Sequence, residues 1–310
     1  MHIIRRRGWE LPERAVTPES LVLNRRGALA GAGLLASLAA LPAKAQTTGV
    51  PPRNPKYQPG RALTSEKAAT TYNNYYEFSD GKNLWQEAQR LKQRPWTIEL
   101  GGEIKQPRTI GLDDLLKQVQ LEERIYRHRC VEAWAMTVPW TGFPLSQLVK
   151  IAEPLGSAKY VVFQTLQDEK QMPGLDSPFY PWPYIEGLTI DEAGNDMAFI
   201  STGLFGKPLP PQNGGPIRLT VPWKYGFKSA KALVKITFTE KRPVNFWQAI
   251  QPSEYGFWAN VNPGVAHPRW SQAHERLIGT DQTVPTEIYN GYGEFVASLY
   301  TNRTNEKLFM

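Results

Sequence analysis

The residue with the most chemical potential is Cys130, the only cysteine among 310 residues. It follows Arg127, His128 and Arg129, whose positive charges would favour the thiolate that binds metals or attacks electrophiles. One cysteine cannot form an internal disulfide, and the four-ligand spacing of structural zinc is missing around it. Cys130 is therefore a buried, inert thiol, a nucleophile, or a ligand to a soft or high-valent metal whose other ligands come from a cofactor.

A glycine-rich turn lies at residues 212–218, with the sequence QNGGPIR. Glycines allow the backbone to approach a ligand closely. The flanking Asn213 and Arg218 can add a directional hydrogen bond and a positive charge. An ordinary turn before a strand explains the same residues.

A second turn, at residues 222–231, contains Lys224, Lys228 and Lys231 together with Ser229 and a glycine. Backbone N–H groups and ammonium ions in so short a segment resemble an anion-binding cradle. The spacing is not that of a P-loop. A solvated basic loop is the alternative.

Short strands that alternate with short helices would have to position these segments, and the connections between them are long. Residues 172–188 and 203–216 are rich in Pro, Gly and aromatic residues, which is typical of loops that build a pocket. The sequence predicts an α+β fold with a mixed sheet. The predicted strands are 96–100, 123–129, 159–166, 217–221 and 232–239, and the predicted helices are 112–119 and 145–151.

The distribution of charge argues against a nucleic-acid partner. The net charge is +7, but residues 1–45 hold seven basic and three acidic residues, so the remaining 265 residues carry only +3. That part also lacks a run of Lys and Arg, so nucleic-acid binding has little support.

The N-terminus has the organisation of an export signal. Arg25 and Arg26 precede an uncharged Ala-, Leu- and Gly-rich stretch that ends in the small-x-small pattern of residues 43–45. We expect residues 1–45 to be a twin-arginine signal peptide, 46–71 an extended and poorly packed lead-in, and 72–310 one domain. A membrane anchor is the alternative, but the apolar stretch is shorter than a spanning helix requires.

Several long segments, taken in order, resemble the catalytic subunits of periplasmic methionine-sulfoxide reductases, which are molybdopterin enzymes with the sulfite-oxidase fold. The resemblance runs from the leader to the C-terminus. It rests on NNYYEF, RHRCVEAWAM, VPWTGFPL, PWPYIEGLTIDEA, GLFGKPLPPQNGGPIRLTVPWKYGFKSAK, EYGFWANVNP, HPRWSQAHERLIG and YNGYGEFVASLY.

The resemblance implies a role for each of these segments. Cys130 would ligate molybdenum and act as the catalytic metal ligand. The molybdopterin, with one molybdenum per chain, would be held by Asn73, Tyr76, Glu77, Thr165, Asn213, Arg218, Ser229, Ala230 and Lys231. His128 and the neighbouring arginines are candidates for the proton donor. The aromatic loops would form an apolar rim around the substrate, although the sequence does not locate it.

The activity implied is the reduction of methionine sulfoxide, free or in oxidised periplasmic proteins, by a monomer or by a heterodimer with a haem-containing membrane subunit. That subunit would supply electrons from the quinone pool, because the chain has no haem-attachment motif of its own. A sulfite oxidase is the nearest alternative. A periplasmic binding protein with Cys130 simply buried is the alternative from another class.

Overall fold

The computed structural model describes residues 50–309. The α-helices in this range are short, four to eight residues each. They are α1 (Glu66–Thr71), α2 (Leu112–Leu116), α3 (Leu145–Ala152), α4 (Ile190–Gly194), α5 (Phe246–Ile250) and α6 (Gly293–Val296). Single 3-10 turns lie at Glu87–Arg90, Pro173–Asp176, Pro211–Asn213, Gly226–Lys228, Ile288–Gly291 and Ala297–Tyr300.

The strands carry most of the regular structure. In chain order they are β1 (Thr97–Gly102), β2 (Arg108–Gly111), β3 (Glu122–Arg129), β4 (Trp134–Pro144), β5 (Tyr160–Thr165), β6 (Ile185–Thr189), β7 (Phe199–Leu204), β8 (Lys207–Pro208), β9 (Arg218–Thr220), β10 (Leu233–Thr239), β11 (His274–Leu277) and β12 (Thr283–Pro285).

One sheet has five strands in the order β2-β1-β10-β5-β6. β1 and β10 are parallel, and the other neighbours are antiparallel. Phe163 on β5 lies opposite Ile236 on β10, and both side chains are fully buried. β5 and β10 were predicted from their β-branched and aromatic content. Such content is typical of strands in which one face packs inward while alternate residues stay partly exposed.

The other sheet is built around β4, which is eleven residues long. β3 pairs antiparallel with β4 along most of its length, while β11 and β7 pair with opposite ends of its other edge. Every residue of β4 except Pro144 is buried. A strand buried on both faces shows no alternation, which explains why β4 was not predicted from the sequence.

Most of the predicted elements are present, with ends shifted by a few residues. β3, β5, β9 and β10 lie where strands were expected, and α2 and α3 lie where helices were expected. β4, β6 and β7 were not predicted, nor was α4, whose start is fixed by a capping box between Thr189 and Glu192. The α+β prediction is confirmed by the two mixed sheets and few helices.

The lead-in packs more closely than expected. Tyr57 is 2% exposed, Arg53 pairs with Glu123 at 2.6 Å, and the backbone N–H of Thr64 donates to Thr137. Ser65 caps α1, so residues 66–71 are helical rather than extended. The expectation of an extended segment was wrong at residues 66–71, whereas Tyr57 and Ala69 are the two buried residues among 50–71, so a few side chains anchor a segment that is otherwise largely exposed.

The predicted signal peptide, residues 1–45, lies outside the described residues. Within the described range, the longest apolar helix falls well short of the length needed to cross a membrane.

Two fully buried ion pairs attach the 222–231 segment to the rest of the chain. Lys228 lies 2.6 Å from Glu186 on β6 and also donates to the carbonyl of Gly187. Lys224 lies 2.5 Å from Glu192 at the start of α4. A lysine inside a protein is tolerated only when such partners compensate for its lost hydration.

The Lys228–Glu186 pair should make stability depend on pH. Burial, the largest effect, raises the pKa of Glu186 to about 7 from an ordinary 4.5, against the opposing pull of Lys228. Between pH 4.5 and 7 the folded chain keeps a proton that the unfolded chain has released, so this group lowers stability as pH rises.

We therefore expect the unfolding free energy of the parent protein to fall more steeply across this pH window than that of Glu186→Gln. Urea denaturation at several pH values measures both. Identical slopes for the two proteins would show that Glu186 is ionised throughout the window.

Candidate active site

Cys130 is the first residue of the tight turn that joins β3 to β4. Its N–H donates to the carbonyl of Trp134 at 2.9 Å, and the N–H of Ala133 donates back to the carbonyl of Cys130 at 3.0 Å. Trp270 Nε1 and Gln272 Nε2 each donate to the Val131 carbonyl at 2.8 Å. The turn is thus fixed both by its own hydrogen bonds and by the 262–272 loop, which holds the sulfur in one place.

A cavity of about 440 Å³ opens beside the Cys130 sulfur. This volume is in the range of small-molecule and cofactor sites. Seven of the ten site residues suggested by the sequence line it, from four separate segments of the chain. They are Asn73, Tyr76, Glu77, Cys130, Asn213, Arg218 and Lys231.

The other three predicted residues lie behind the lining. Thr165 donates to Glu77 at 3.2 Å, the Ser229 carbonyl accepts from Arg218 at 3.1 Å, and the Ala230 carbonyl accepts from the N–H of Leu219. They hold lining residues in position. Their direct contact with a cofactor stays a prediction.

The two adjacent asparagines both line the cavity, but only one approaches the sulfur. Asn74 Nδ2 lies 3.8 Å from Cys130 Sγ, whereas Asn73 Nδ2 points to the carbonyl of Ala69 at 3.4 Å. Asn74 was not singled out from the sequence, because neighbouring identical residues give no signal for which one faces inward.

Three amide oxygens around the cavity are buried without a hydrogen-bond partner: Oδ1 of Asn73, of Asn74 and of Asn213. A buried, unpaired acceptor costs roughly 1–3 kcal/mol. Three such atoms around one cavity are the arrangement expected of a site that receives N–H or O–H donors from a ligand.

The floor of the cavity is positively charged. Burial lowers the pKa of Arg218 to about 10, and its guanidinium donates only to backbone carbonyls, those of Asn213, Leu219 and Ser229. Burial first, and the charge of Arg218 second, lower the pKa of Lys231 to about 8. Glu77, whose own pKa is raised by burial, is the carboxyl that faces Lys231. Such a floor would be stabilised by an anionic ligand.

His128 also lines the cavity and is held neutral. Burial, followed by the charges of Arg218 and Lys231, puts its pKa well below the usual range. A neutral imidazole lacks the proton that an imidazolium would donate at neutral pH. This weakens the expectation that His128 is the proton donor.

The arginines near Cys130 favour its thiolate less than expected: Arg129 lowers the pKa of the thiol, but burial and Glu132 outweigh this effect. Arg127 pairs with Glu287 and with the Pro59 carbonyl, and Arg129 pairs with Glu275 at 2.8 Å. Burial, and then Glu132, raise the pKa of Cys130 to about 12. A bound metal cation is the kind of charge that removes a thiol proton in such surroundings.

The basic turn contributes one lysine to the cavity rather than three. Lys231 lines it, whereas Lys224 and Lys228 are used in the buried pairs with Glu192 and Glu186. The sequence could not show this because the pairing carboxylates are 32 and 42 residues away along the chain.

Two glycines permit close approaches that a side chain would block. A Cβ at Gly226 would lie 2.6 Å from His128 Nε2. A Cβ at Gly214, where φ is +96°, would lie 2.7 Å from Lys231 Cγ. Both glycines therefore allow close packing against residues that line the cavity, while the approach of the 212–218 backbone to a ligand stays a prediction.

Aromatic residues line the cavity, at a location that the sequence could not give, and their contact with a substrate stays a prediction. Phe227, Trp247, Tyr255 and Trp270 line the cavity together with Arg269. Phe227 belongs to the basic turn at residues 222–231. Trp247 comes from α5, Tyr255 from the loop that follows it and Trp270 from the 262–272 loop, and none of these three segments carried a periodic signal.

No group of three or more His, Cys, Asp or Glu side chains converges as a metal site within residues 50–309.

Residues 86–247, just over half of the chain, match the family model described as oxidoreductase molybdopterin binding domain. This match confirms the molybdopterin-binding fold that the sequence predicted. A weaker structural likeness, with a TM-score of 0.43 and 15% identity, links 67% of this chain to 57% of the sulfane dehydrogenase SoxCD from Paracoccus pantotrophus. It carries no argument at that distance.

Three relatives share nearly the full length of the chain, and all three are named protein-methionine-sulfoxide reductase catalytic subunit MsrP. The protein of Burkholderia mallei is 46% identical, over 97% of this chain and 96% of its own length. The protein of Ralstonia nicotianae is 46% identical, over 98% of this chain and 97% of its own length. The protein of Xanthomonas axonopodis pv. citri is 47% identical, over 96% of this chain and 98% of its own length. The chain therefore belongs to the family of protein-methionine-sulfoxide reductase catalytic subunits and contains an oxidoreductase molybdopterin-binding domain.

Proposed function

We propose that the protein reduces methionine sulfoxide, free or within oxidised proteins, to methionine, with one molybdenum-molybdopterin per chain bound at Cys130. The observation that carries the proposal is the cavity that joins the Cys130 sulfur to a cationic floor and to unpaired amide oxygens. When bound, the cofactor supplies two-electron chemistry, so that a sulfoxide, two protons and two electrons give a thioether and water.

The residues around the cavity fit such a cofactor in type as well as in place. Thiolate is a soft donor suited to a metal such as molybdenum. Arg218 and Lys231 provide the positive charge that a phosphate requires. The free oxygens of Asn73 and Asn213 can accept hydrogen bonds from the N–H groups of a pterin.

The chain's own part in the reaction is to position groups and to exclude water. The fixed turn holds the sulfur of Cys130, the aromatic rim restricts access of solvent, and Asn74 Nδ2 can donate a hydrogen bond beside the sulfur. Rigid donors in a dry site stabilise developing charge more strongly than solvent does.

The proposal includes a periplasmic location, reached in the folded state by the twin-arginine route. Arg25, Arg26 and the small-residue pattern at 43–45 support it. It also includes electron supply by a haem-containing membrane subunit fed by quinones, with which this chain acts as a monomer or a heterodimer. Oxidised periplasmic proteins would be its substrates.

The central experiment is metal analysis of the purified protein together with a reduced-dye assay. We expect about one molybdenum per chain and oxidation of the dye that depends on methionine sulfoxide. Sulfite-dependent reduction of an acceptor, without sulfoxide-dependent dye oxidation, would instead support the sulfite oxidase alternative. A protein without molybdenum and without either activity would support the binding protein.

Replacing the sulfur tests the role of Cys130. We expect Cys130→Ser to lower sulfoxide reduction by at least about a hundredfold, because a hard hydroxyl replaces the soft thiolate donor at the metal. Activity per bound molybdenum is the quantity to compare, with Ser157→Ala as a control far from the cavity. Activity of Cys130→Ser at the parent level would rule out a metal-ligating cysteine.

Filling the space at Gly226 tests the cavity from its other side. We expect Gly226→Ala to reduce the molybdenum content severalfold, because the new methyl group pushes the His128 ring into the cavity. Gly156→Ala is the matched control, since a Cβ there meets no atom within 4 Å. Molybdenum per folded chain is the measurement, and equal loading of the two variants would contradict the argument.

A further inference from the structure

One wall of the cavity is a continuous set of aromatic rings. Trp247 contacts Tyr76 and Tyr255, with ring centroids 5.0 and 5.3 Å apart, and Phe227 meets Tyr255 edge-on at 5.5 Å. All four line the same cavity as the Cys130 sulfur. We call these four residues the aromatic wall.

The aromatic wall leaves apolar surface uncovered. Trp247 and Phe227 are only partly buried, although they lie in the interior of a cavity-forming region. Exposed indole and phenyl surface inside a pocket favours the binding of an apolar group, because burial of that surface releases its hydration. The same cavity is also lined by polar and cationic groups, those of Asn74, Arg218 and Lys231.

Charge at the mouth of the cavity is largely compensated. Lys82 and Glu132 pair at 2.8 Å, and Arg269 and Glu254 pair at 2.8 Å. Partly exposed ion pairs of this kind contribute little net attraction for a charged ligand. Discrimination between substrates at the mouth of the cavity therefore depends on apolar contact.

We propose that the aromatic wall, with Trp247 at its centre, is the subsite that binds the thioether carbons of the substrate and so selects methionine sulfoxide over smaller sulfoxides. The substrate has the same mixed character as the cavity. Its S=O group is a hydrogen-bond acceptor and its methyl and ethylene carbons are apolar. Binding of the carbons to the wall leaves the oxygen free to accept a hydrogen bond from the polar groups of the lining. Trp247 is a specificity-determining residue in this account, which rests on the proposed function.

The test compares two substrates on the molybdenum-loaded enzyme. Methionine sulfoxide carries the ethylene chain, whereas dimethyl sulfoxide lacks it. For Trp247→Ala we expect KM for methionine sulfoxide to rise roughly tenfold with kcat per molybdenum within about twofold, because apolar contact is lost in substrate and transition state alike. KM for dimethyl sulfoxide should change less than about threefold, and Trp247→Phe should recover most of the affinity.

Phe179→Ala is the matched control, because Phe179 is 85% exposed and lies outside the cavity lining. An unchanged KM for methionine sulfoxide in Trp247→Ala, an equal rise for both sulfoxides, or a fall in kcat alone overturns the inference. If Trp247→Ala fails to retain molybdenum, Trp247→Leu takes its place under the same criteria. A parent enzyme that reduces neither sulfoxide refutes the proposed function itself, which distinguishes the two failures.

Discussion

The structure depends on positive charge buried next to a sulfur. Arg218 and Lys231 lie on the floor of one cavity, and the guanidinium of Arg218 meets carbonyl oxygens but no carboxylate among residues 50–309. Burial lowers the pKa of both groups, which means that the folded chain disfavours their protonated, charged forms. A fold retains such an arrangement at a cost in stability, and an anionic cofactor would offset that cost.

The two sheets and their connections bring the parts of this arrangement together. β3 and β4 deliver Cys130 at their turn, β9 delivers Arg218 at its first residue, and the segment before β10 delivers Lys231. The buried pairs of Lys228 and Lys224 fix that segment against β6 and α4. Rigid strands and paired lysines thus place residues that are more than 100 positions apart around one cavity, which is what a preorganised site requires.

The sequence predicted the elements whose signal is local and missed those whose signal comes from tertiary contact. β5 and β10 were predicted because half-buried strands show β-branched content, whereas β4, buried on both faces, shows no alternation. Cys130 and the two turns were singled out from their residue types, the resemblance added the remaining site residues, and seven of the ten line the cavity. The roles of the charged groups were predicted less well. Arg127, Arg129 and two of the three lysines have acidic partners distant in sequence, and no spacing rule reveals such pairs.

Bonding between Cys130 and the metal is the claim on which the rest of the account depends. X-ray absorption at the molybdenum edge tests it directly by counting the sulfur atoms at bonding distance. We predict that the parent protein has one more sulfur neighbour per molybdenum than Cys130→Ser loaded with the same cofactor. The same sulfur count in both proteins would contradict the assignment of Cys130 as a metal ligand.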